Sequence, residues 1–520
     1  MADALGPQRS SFLPPPRLYA VVGVCASIVY LGALWNRWAL DDMLIIYTNP
    51  LVHSLAGVWR AFGESYWPLS LGGAFYRPLT LATYALDWRV GSPAWFHAVN
   101  LVWHAAASVA VAALARRWSG DRAALAAGLL FAVHPVHVEA VANIVGRAEL
   151  MAALFALLAV YAALQRDHMG WSAVALACSL LSKENAAVVP GLVVLGWLLG
   201  VSRPASRRIA VYVASWVVLG AIYGAVRWAV LRSAAPLPMV ASVFAGATPL
   251  QIRLTAVAAF ADIARLLVFP WTLRVDYSPA ERTLVTSPLD GRVALGLLCF
   301  TAWAALLVLA WRRGRRIEAL GLAWIAVALL PVANLLFPIG VLVAERTLYL
   351  PSAGLAIALG AWLERLPPAR FAPVLGVLVL AGAARAAWRV PVWRDDGSVI
   401  LSELEDSPNS FDGPGRMAGI YLATGRPAKA LEAFAIAAGV FDRSPWLYVK
   451  AADAAFTLGR PALADSLLVR LEQLCSGCSH YYRFEGHAAL LRGDTAAADS
   501  LLARARLLDR ARRPDPGQAR

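Results

Sequence analysis

Two clusters of ionisable residues stand next to long apolar stretches of this chain. The segment 131–150 places five such side chains between two apolar runs: His134, His137, Glu139, Arg147 and Glu149. Asp41 and Asp42 directly follow the first apolar run, at 18–38. Ionisable groups at membrane depth are unfavourable unless they line a protein or aqueous cavity. The two clusters therefore predict a site, and carboxylates combined with cations suit chemistry on an anionic, lipid-linked substrate.

The composition is typical of a polytopic membrane protein. Of 520 residues, 59% are hydrophobic and only 15% are charged, and the mean hydropathy is +0.59. These values exclude an ordinary soluble globular protein. Eleven apolar segments, two of them short, are predicted to cross the bilayer as helices. They lie at 18–38, 96–115, 123–141, 148–165, 170–183, 185–201, 209–231, 293–311, 317–337, 347–363 and 371–388. The predicted fold class is all-α, with a transmembrane helix bundle.

Arginine is concentrated in short connections between these segments, which indicates that those connections are cytoplasmic. The clusters are Arg116, Arg117 and Arg122; Arg203, Arg207 and Arg208; and Arg312, Arg313, Arg315 and Arg316. They account for much of the formal net charge of +14, so no nucleic-acid partner is expected. Counting from a cytoplasmic N-terminus places the loops 39–95 and 232–292, and the C-terminus, outside. This topology requires the amphipathic stretch 251–270 to lie on the outer surface.

The residues after Trp393 form a separate soluble region, in which we predict a linker at 394–407 and a helical domain at 408–515. Three glycines recur every 34 residues, in LATGRPAKALEAF, FTLGRPALADSLL and LLRGDTAAADSLL: Gly425, Gly459 and Gly493. This period resembles the tetratricopeptide repeat, and the alternative is a non-repetitive helical bundle. Such stacks bind extended protein segments. The repeats are therefore predicted to govern the choice of acceptor and not to supply chemistry.

The cysteines give little indication of a site. Cys25, Cys178 and Cys299 lie in predicted spans, where they are expected to be inert. Cys475 and Cys478 form a single C-x-x-C, which supplies at most half of a zinc site; chance spacing and a disulfide are the other interpretations. No small-residue cleavage site follows the first apolar run, so that run is expected to stay as an anchor.

The outward-facing polar residues suggest distinct roles by their chemistry. Asp41 or Asp42 could deprotonate an acceptor hydroxyl as that hydroxyl attacks a sugar carbon. Four cations could clamp a phosphate or pyrophosphate: Arg77, Arg147, Lys183 and Arg346. Seven further residues are expected to line the substrate pocket: His97, His104, His134, His137, Glu139, Glu149 and Glu345. The simpler alternatives are an ion pair between Lys183 and Glu184, satisfied core histidines at His134 and His137, and solvated aspartates.

Seven strings along the chain resemble one protein family. They are DDMLIIYTNP (41–50), FYRPLT (75–80), FHAVNLVWH (96–104), HPVHVEAVANIVGRAEL (134–150), LLSKENA (180–186), FPWTLRVDYSP (269–279) and VAERTLYLPSAG (343–354). With the repeat tail, they are similar to the transmembrane O-mannosyltransferases with tetratricopeptide repeats, which are polytopic GT-C glycosyltransferases. The resemblance implies inverting transfer of a sugar, mannose on dolichol phosphate in eukaryotic members, from a polyprenyl-phosphate carrier. It also implies that the acidic motif of the first external loop, here Asp41 and Asp42, is the catalytic centre.

The same resemblance implies a lipid-linked donor and an acceptor protein or glycan. The sequence identifies no certain cofactor, and a divalent metal is an open alternative that no motif supports. The composition, rich in alanine and arginine, suggests a bacterial genome of high GC content. The expected location is then the bacterial inner membrane, with the site and the repeats extracytoplasmic. The alternative function is a non-catalytic scaffold whose repeats recruit partners for envelope assembly. A transporter is disfavoured because the charges gather at one face and not at the midplane.

Overall fold

The computed structural model describes residues 14–68, 75–202, 204–232, 243–244, 246–277, 280–475, 479–491 and 493–511. This described part is helical and contains no β-strand, which confirms the predicted all-α class. Its α-helices up to Arg389 are α1 (Pro15–Val29), α2 (Ala56–Arg60), α3 (Pro78–Asp87), α4 (Pro93–Ser119), α5 (Asp121–Ala132), α6 (Val138–Ala142), α7 (Arg147–Arg166), α8 (Met169–Ser182), α9 (Val189–Leu198), α10 (Ser206–Leu231), α11 (Pro249–Ala258), α12 (Phe260–Val268), α13 (Gly291–Arg312), α14 (Arg316–Leu329), α15 (Tyr349–Leu363) and α16 (Pro368–Arg389).

Several of these helices are able to cross a bilayer. Five segments of the described chain are long and apolar enough on their own: α4, Ile144–Arg166 around α7, α10, α13 and Pro368–Trp393 around α16. A sixth candidate is the pair of α5 and Pro135–Ala142, which is bent by 48°. The protein is therefore an integral membrane protein, as predicted. The other expected spans correspond to shorter helices such as α8, α9 and α15, so the count of eleven stays a prediction.

The centre of the bundle is formed by α4, α5, α7 and α15, which share one buried core. In Ile144–Arg166, 78% of the apolar window is buried, against 6% in α10, so α10 is the lipid-facing one of the two. Glycines allow α15 to pack closely against two neighbouring helices. A Cβ atom on Gly321 would lie 2.4 Å from the carbonyl oxygen of Gly354, and one on Gly360 would lie 2.6 Å from that of Ala123. Small residues permit such close packing of helices in membranes.

The histidine-rich segment is a break between two helices. The ring of His134 caps a short turn that begins at Pro135, because its Nδ1 accepts the Val136 N–H at 3.3 Å. A second short turn follows, and there a Cβ atom on Gly146 would lie 2.2 Å from the Ala140 carbonyl oxygen, so only glycine fits. The chain thereby turns back on itself before α7 begins. This break brings the polar residues of the segment to one end of the bundle.

The two long loops that are predicted to be external contain short helices. The loop 39–95 contributes α2 and α3, and Tyr84 of α3 shares a small core with Phe96 of α4. The loop 232–292 contributes α11, which starts with a capping box formed by Thr248 and Gln251, and α12. The expected amphipathic helix is therefore two short helices, and its place on the outer surface stays a prediction.

The C-terminal region consists of α17 (Asp396–Asp406), α18 (Asp412–Ala423), α19 (Pro427–Val440), α20 (Pro445–Thr457), α21 (Pro461–Leu474), α22 (Ser479–Leu491) and α23 (Thr495–Ala511). The expected linker is thus largely a helix, α17. The helices α18 to α23 form three successive hairpins. Gly425, Gly459 and Gly493 have φ values of +70°, +64° and +79° at the turn inside each hairpin, where a side chain would be strained. The period of 34 residues therefore marks equivalent turns, and assignment of the hairpins as tetratricopeptide repeats stays a prediction. Cys475 is disulfide-bonded, and Cys478 lies outside the described residues.

Candidate active site

The turn that carries the two aspartates is held in an unusual conformation. Leu40 has a φ of +50°, a left-handed conformation that is unfavourable for a residue with a Cβ atom. Its N–H donates to Oδ1 of Asp396, at the start of α17, at 2.6 Å. The neighbouring backbone is also tied down, because the N–H of Arg37 donates to the carbonyl of Arg394 at 2.7 Å. Residues at and just before the start of α17 therefore position this turn.

Asp41 and Asp42 have different environments. Asp42 is fully buried, and its two carboxylate oxygens accept the backbone N–H groups of Ala39 at 3.1 Å and Val145 at 2.9 Å. Asp41 is exposed and makes no hydrogen bond or ion pair within the described part of the chain. Asp42 therefore joins the loop 39–95 to the break before α7, and Asp41 is the more accessible of the two carboxylates.

Asp41 lies among the charged residues Arg77, Glu139, Arg346 and Arg416, which together are called the recess below. The protein around the side chain desolvates the carboxylate and raises its pKa above the usual range, whereas the positive charges of Arg416, Arg346 and Arg77 lower it and Glu139 raises it. Burial also raises the pKa of Asp42, to about 8, against the effect of its backbone hydrogen bonds. Because three of the charges that act on Asp41 are positive, a negatively charged ligand in the recess would meet favourable electrostatics.

Arg346 is the accessible cation among the four proposed from the sequence. It lies in the turn Glu345–Leu348 that precedes α15. The carboxylate of Glu139 accepts its backbone N–H at 2.8 Å and also binds its guanidinium. About 40% of the Arg346 side chain stays exposed. Glu139 therefore orients an arginine that still has donors available to a ligand.

Arg77 and Lys183 lie at the edge of the same region, and each forms an ion pair with a glutamate. The guanidinium of Arg77 donates to both oxygens of Glu184, at 2.9 and 2.6 Å, and stacks on the rings of Tyr66 and Phe75. Lys183 pairs with Glu149 and not with its neighbour Glu184. The second oxygen of Glu149 accepts the amide of Asn185 at 3.1 Å.

Arg147 is completely buried, in contrast to Arg346. Its guanidinium donates to Oδ1 of Asn100 at 2.8 Å and to the carbonyl of Phe96 at 3.0 Å, and it pairs with Asp87. The ring of Tyr84 lies 4.8 Å from its centre. These contacts join α3, α4 and the start of α7 and leave no donor at an accessible surface, so the geometry favours a structural role for Arg147.

The four histidines are also part of the packing below the recess. A ring nitrogen of each donates to a neighbouring oxygen: His97 to Arg37 O at 3.3 Å, His104 to Ala132 O at 3.0 Å, His134 to Leu267 O at 2.9 Å and His137 to Ser352 Oγ at 2.7 Å. Within the described residues, no three His, Cys, Asp or Glu side chains converge as metal ligands would. The geometry therefore favours core histidines over metal ligands, although Nδ1 of His97 and Nδ1 of His137 are buried without a partner in the described residues.

Glu345 binds residues of the loop 232–292. Its Oε1 accepts the N–H of Arg274 at 2.6 Å and the hydroxyl of Tyr277 at 2.7 Å. Burial raises the pKa of Glu345 to about 7. The carboxylate thus holds the loop 232–292 against the turn that carries Arg346.

Arg416, in α18, is a residue of the recess that the sequence does not reveal. Its Nε lies 3.2 Å from Oε2 of Glu403, which is buried in α17, and its positive charge acts on Asp41. A further contact joins the C-terminal region to the loop 232–292, since the hydroxyl of Ser410 donates to Asp276 at 2.7 Å. The first hairpin of the C-terminal region therefore borders the recess. No periodicity in the sequence predicts this contact, because it depends on how α17 folds back.

The chain is similar to curated protein O-mannosyl-transferases. It is 29% identical to TMTC4 of Homo sapiens, over 77% of this chain and 63% of that protein. It is 29% identical to F38B6.6 of Caenorhabditis elegans, over 74% and 57%, and 27% identical to TMTC3 of Mus musculus, over 76% and 47%. These similarities confirm the resemblance predicted from the motifs. The chain spans between about half and two thirds of the length of these relatives.

The chain is also similar to a solved structure of a lipid-bound protein. Among solved structures, ArnT from Cupriavidus metallidurans bound to undecaprenyl phosphate is similar, with a TM-score of 0.40 and 15% identity over 86% of this chain and 79% of that chain. No protein-family profile matches the chain.

Proposed function

We propose that this protein is a membrane glycosyltransferase that moves a sugar from a polyprenyl-phosphate carrier to a hydroxyl of an acceptor on the extracytoplasmic side. The observation that carries the proposal is Asp41, an accessible carboxylate with no partner in the described chain, within electrostatic reach of the accessible guanidinium of Arg346. A base beside a cation is what attack on a sugar phosphate requires. Similarity to proteins named O-mannosyl-transferases supports mannose as the sugar.

In the proposed reaction, Asp41 accepts the proton of the acceptor hydroxyl while the hydroxyl oxygen attacks the anomeric carbon. The bond between that carbon and the phosphate oxygen breaks, and its electron pair stays on the carrier phosphate. Arg346 donates hydrogen bonds to the phosphate as its charge grows. One in-line displacement inverts the configuration of the sugar. Asp41 then releases its proton to solvent.

The other residues proposed from the sequence take supporting roles in this scheme. Asp42 fixes the turn that presents Asp41. Arg77 is the second candidate for the phosphate, because its Nη1 is outside its ion pair with Glu184. The ammonium of Lys183 is paired with Glu149, so Lys183 contributes mainly its charge. The location in a bacterial inner membrane, with this recess extracytoplasmic, is part of the proposal and is supported by the arginine distribution.

The proposal is tested by comparing Asp41→Asn with Asp42→Asn in the purified full-length protein. The donor is a radiolabelled polyprenyl-phosphate mannose, and transfer to acceptor is measured. Asp41→Asn is expected to reduce transfer about 100-fold or more, the usual effect of losing a general base. It should leave the elution volume on size-exclusion chromatography unchanged. Transfer by Asp41→Asn at the wild-type rate excludes Asp41 as the base.

The anomeric configuration of the product gives a second measurement. A product with inverted configuration at the sugar carbon supports a single displacement, and retention contradicts it. A wild-type protein that transfers no polyprenyl-phosphate sugar, yet captures a periplasmic partner through α18 to α23, would favour the scaffold function.

A further inference from the structure

A second polar cavity lies among the ends of the central helices. Its volume is about 590 Å³. Its wall is formed by the C-terminal ends of α4, α7, α9 and α15 and by the connection between α13 and α14. Six of the residues that line it carry hydrogen-bond donors: Arg117, Trp118, Gln165, Arg315, Arg316 and Arg365. This cavity does not include any residue of the candidate active site.

The cavity and the recess of Asp41 lie at opposite ends of the bundle. In α7, Arg147 is at the end near the recess and Gln165 is about 18 residues further on, which corresponds to about 27 Å along a helix. In α4, His97 is near the recess and Arg117 is near the opposite end. About 27 Å is close to the thickness of the hydrocarbon core of a bilayer, roughly 30 Å. The cavity therefore opens at the membrane face opposite to that of the recess, at the level of the lipid headgroups.

The wall of this cavity offers more hydrogen-bond donors than acceptors. Arg117 and Arg316 are exposed and form no ion pair within the described residues. Arg365 pairs with the buried Glu318 at 2.8 Å, and Nε of Arg315 is 3.7 Å from the same carboxylate.

Two buried donors of the same wall also lack an acceptor. The Nε2 atom of Gln165 and the indole Nε1 of Trp118 have no hydrogen-bond partner in the described part of the chain. Glu364 also lines the cavity, but one of its oxygens accepts the N–H of Ala123 at 2.6 Å. Buried donors are usually satisfied, so these two add to the excess of donors over acceptors around the cavity.

We propose that this cavity binds a phosphate group, carried either by the headgroup of an anionic lipid or by a soluble phosphate. Guanidinium groups match the geometry of phosphate oxygens, and basic pockets between membrane helices bind anionic headgroups. Arginines also offset the negative ends of helix dipoles, which would explain basic residues at these helix ends without a ligand. That explanation applies equally to arginines outside the cavity, which provides the control.

The control is supplied by the adjacent connection. Arg312 and Arg313 are exposed and lie next to the cavity-lining Arg315 and Arg316, but they do not line the cavity. The double variants Arg117→Gln/Arg316→Gln and Arg312→Gln/Arg313→Gln change the net charge equally. They differ only in whether the lost charges line the cavity.

The experiment uses the full-length protein in detergent. It is titrated with short-chain phosphatidylglycerol, with phosphatidylcholine of the same chain length, or with inorganic phosphate, and binding is followed as a rise in Tm. Phosphatidylglycerol is expected to bind more tightly than phosphatidylcholine. Its affinity should fall about 25-fold in the cavity variant, or about fivefold for each arginine, and stay unchanged in the control variant. If the double variant does not elute as a folded protein, Arg316→Gln alone is compared with Arg313→Gln.

Each outcome bears on the proposal. Competition by millimolar inorganic phosphate supports the site and identifies a soluble phosphate as a possible source. Binding of phosphatidylglycerol that phosphate does not compete with supports the site and identifies a lipid headgroup. An equal loss of affinity in the cavity and control variants would overturn the proposal, as would equal binding of the two lipids combined with no effect of phosphate.

Discussion

Asp396 is expected to control transfer although it lies in the helix that leads to the repeats. Its carboxylate accepts the N–H of Leu40, the residue before Asp41, at 2.6 Å, and Leu40 is in the left-handed region. That conformation costs about 1–2 kcal/mol for a residue with a Cβ atom. A hydrogen bond to a charged acceptor contributes about 1.5–3 kcal/mol, so this one bond is large enough to maintain the turn.

Asp396→Ala removes the acceptor and leaves the strain of Leu40. The population of the turn that presents Asp41 is expected to fall about 10- to 100-fold, since every 1.4 kcal/mol corresponds to a factor of about ten. The expected result is a lower kcat with little change in the donor KM. Leu40→Gly in the same background should restore part of the activity, because glycine adopts a positive φ without strain.

The assay is transfer from polyprenyl-phosphate mannose by the purified protein. Glu405→Ala is the matched control, because it removes an exposed carboxylate from the same helix without touching Leu40. A wild-type kcat in Asp396→Ala would refute the reasoning. So would a folded Asp396→Ala protein of low activity that Leu40→Gly does not improve, since its defect would then lie elsewhere.

The remaining predictions concern the recess and its neighbours. Asp42→Ala should lower the Tm by removing the acceptor of two buried N–H groups, a loss of about 1–3 kcal/mol that thermal unfolding will measure. Arg346→Gln should raise the donor KM about tenfold or more, measured in the transfer assay, and an unchanged KM would place phosphate recognition elsewhere. Arg416→Gln removes a charge that lowers the pKa of Asp41, so this pKa should rise and the acidic limb of the pH–rate profile should move to higher pH; Arg416→Lys should move it less. A chain ending at Trp393 loses both Asp396 and Arg416 and should lose transfer even to small acceptors. Transfer by that truncated chain at the full-length rate would contradict this prediction.

The sequence predicts those features of the fold that depend on local composition. Long apolar runs predict α10 and α13, the break in the segment 131–150 follows from its polar residues, and the recurring glycines predict the turns of the hairpins. The division of labour between Asp41 and Asp42 depends instead on which carboxylate meets the backbone at Val145, more than 100 residues away. Adjacent residues of the same type carry no signal of that difference.

The prediction that Arg147 binds phosphate encounters the same limit. An arginine between two apolar runs is expected to serve a ligand, but a buried guanidinium can equally be satisfied by the protein. Here Asp87 and Asn100 supply the acceptors, and both lie in other helices. Arg346 differs only in that one carboxylate, Glu139, holds it and part of its surface stays open. Sequence chemistry thus identifies the set of cations but not the member that is available.

The contacts of α17 change the expected relation between the repeats and the chemistry. The sequence suggests an acceptor-recruiting module that is separate from the site. In the structure, one end of α17 holds the turn of Asp41 through Asp396, and Glu403 in the same helix pairs with Arg416 of the first hairpin. A movement of that hairpin would therefore act on Arg416 and α17 together, and both act on Asp41. If the repeats bind the acceptor, as the sequence predicts, that acceptor would be attached to the helix whose first turn holds the turn of Asp41.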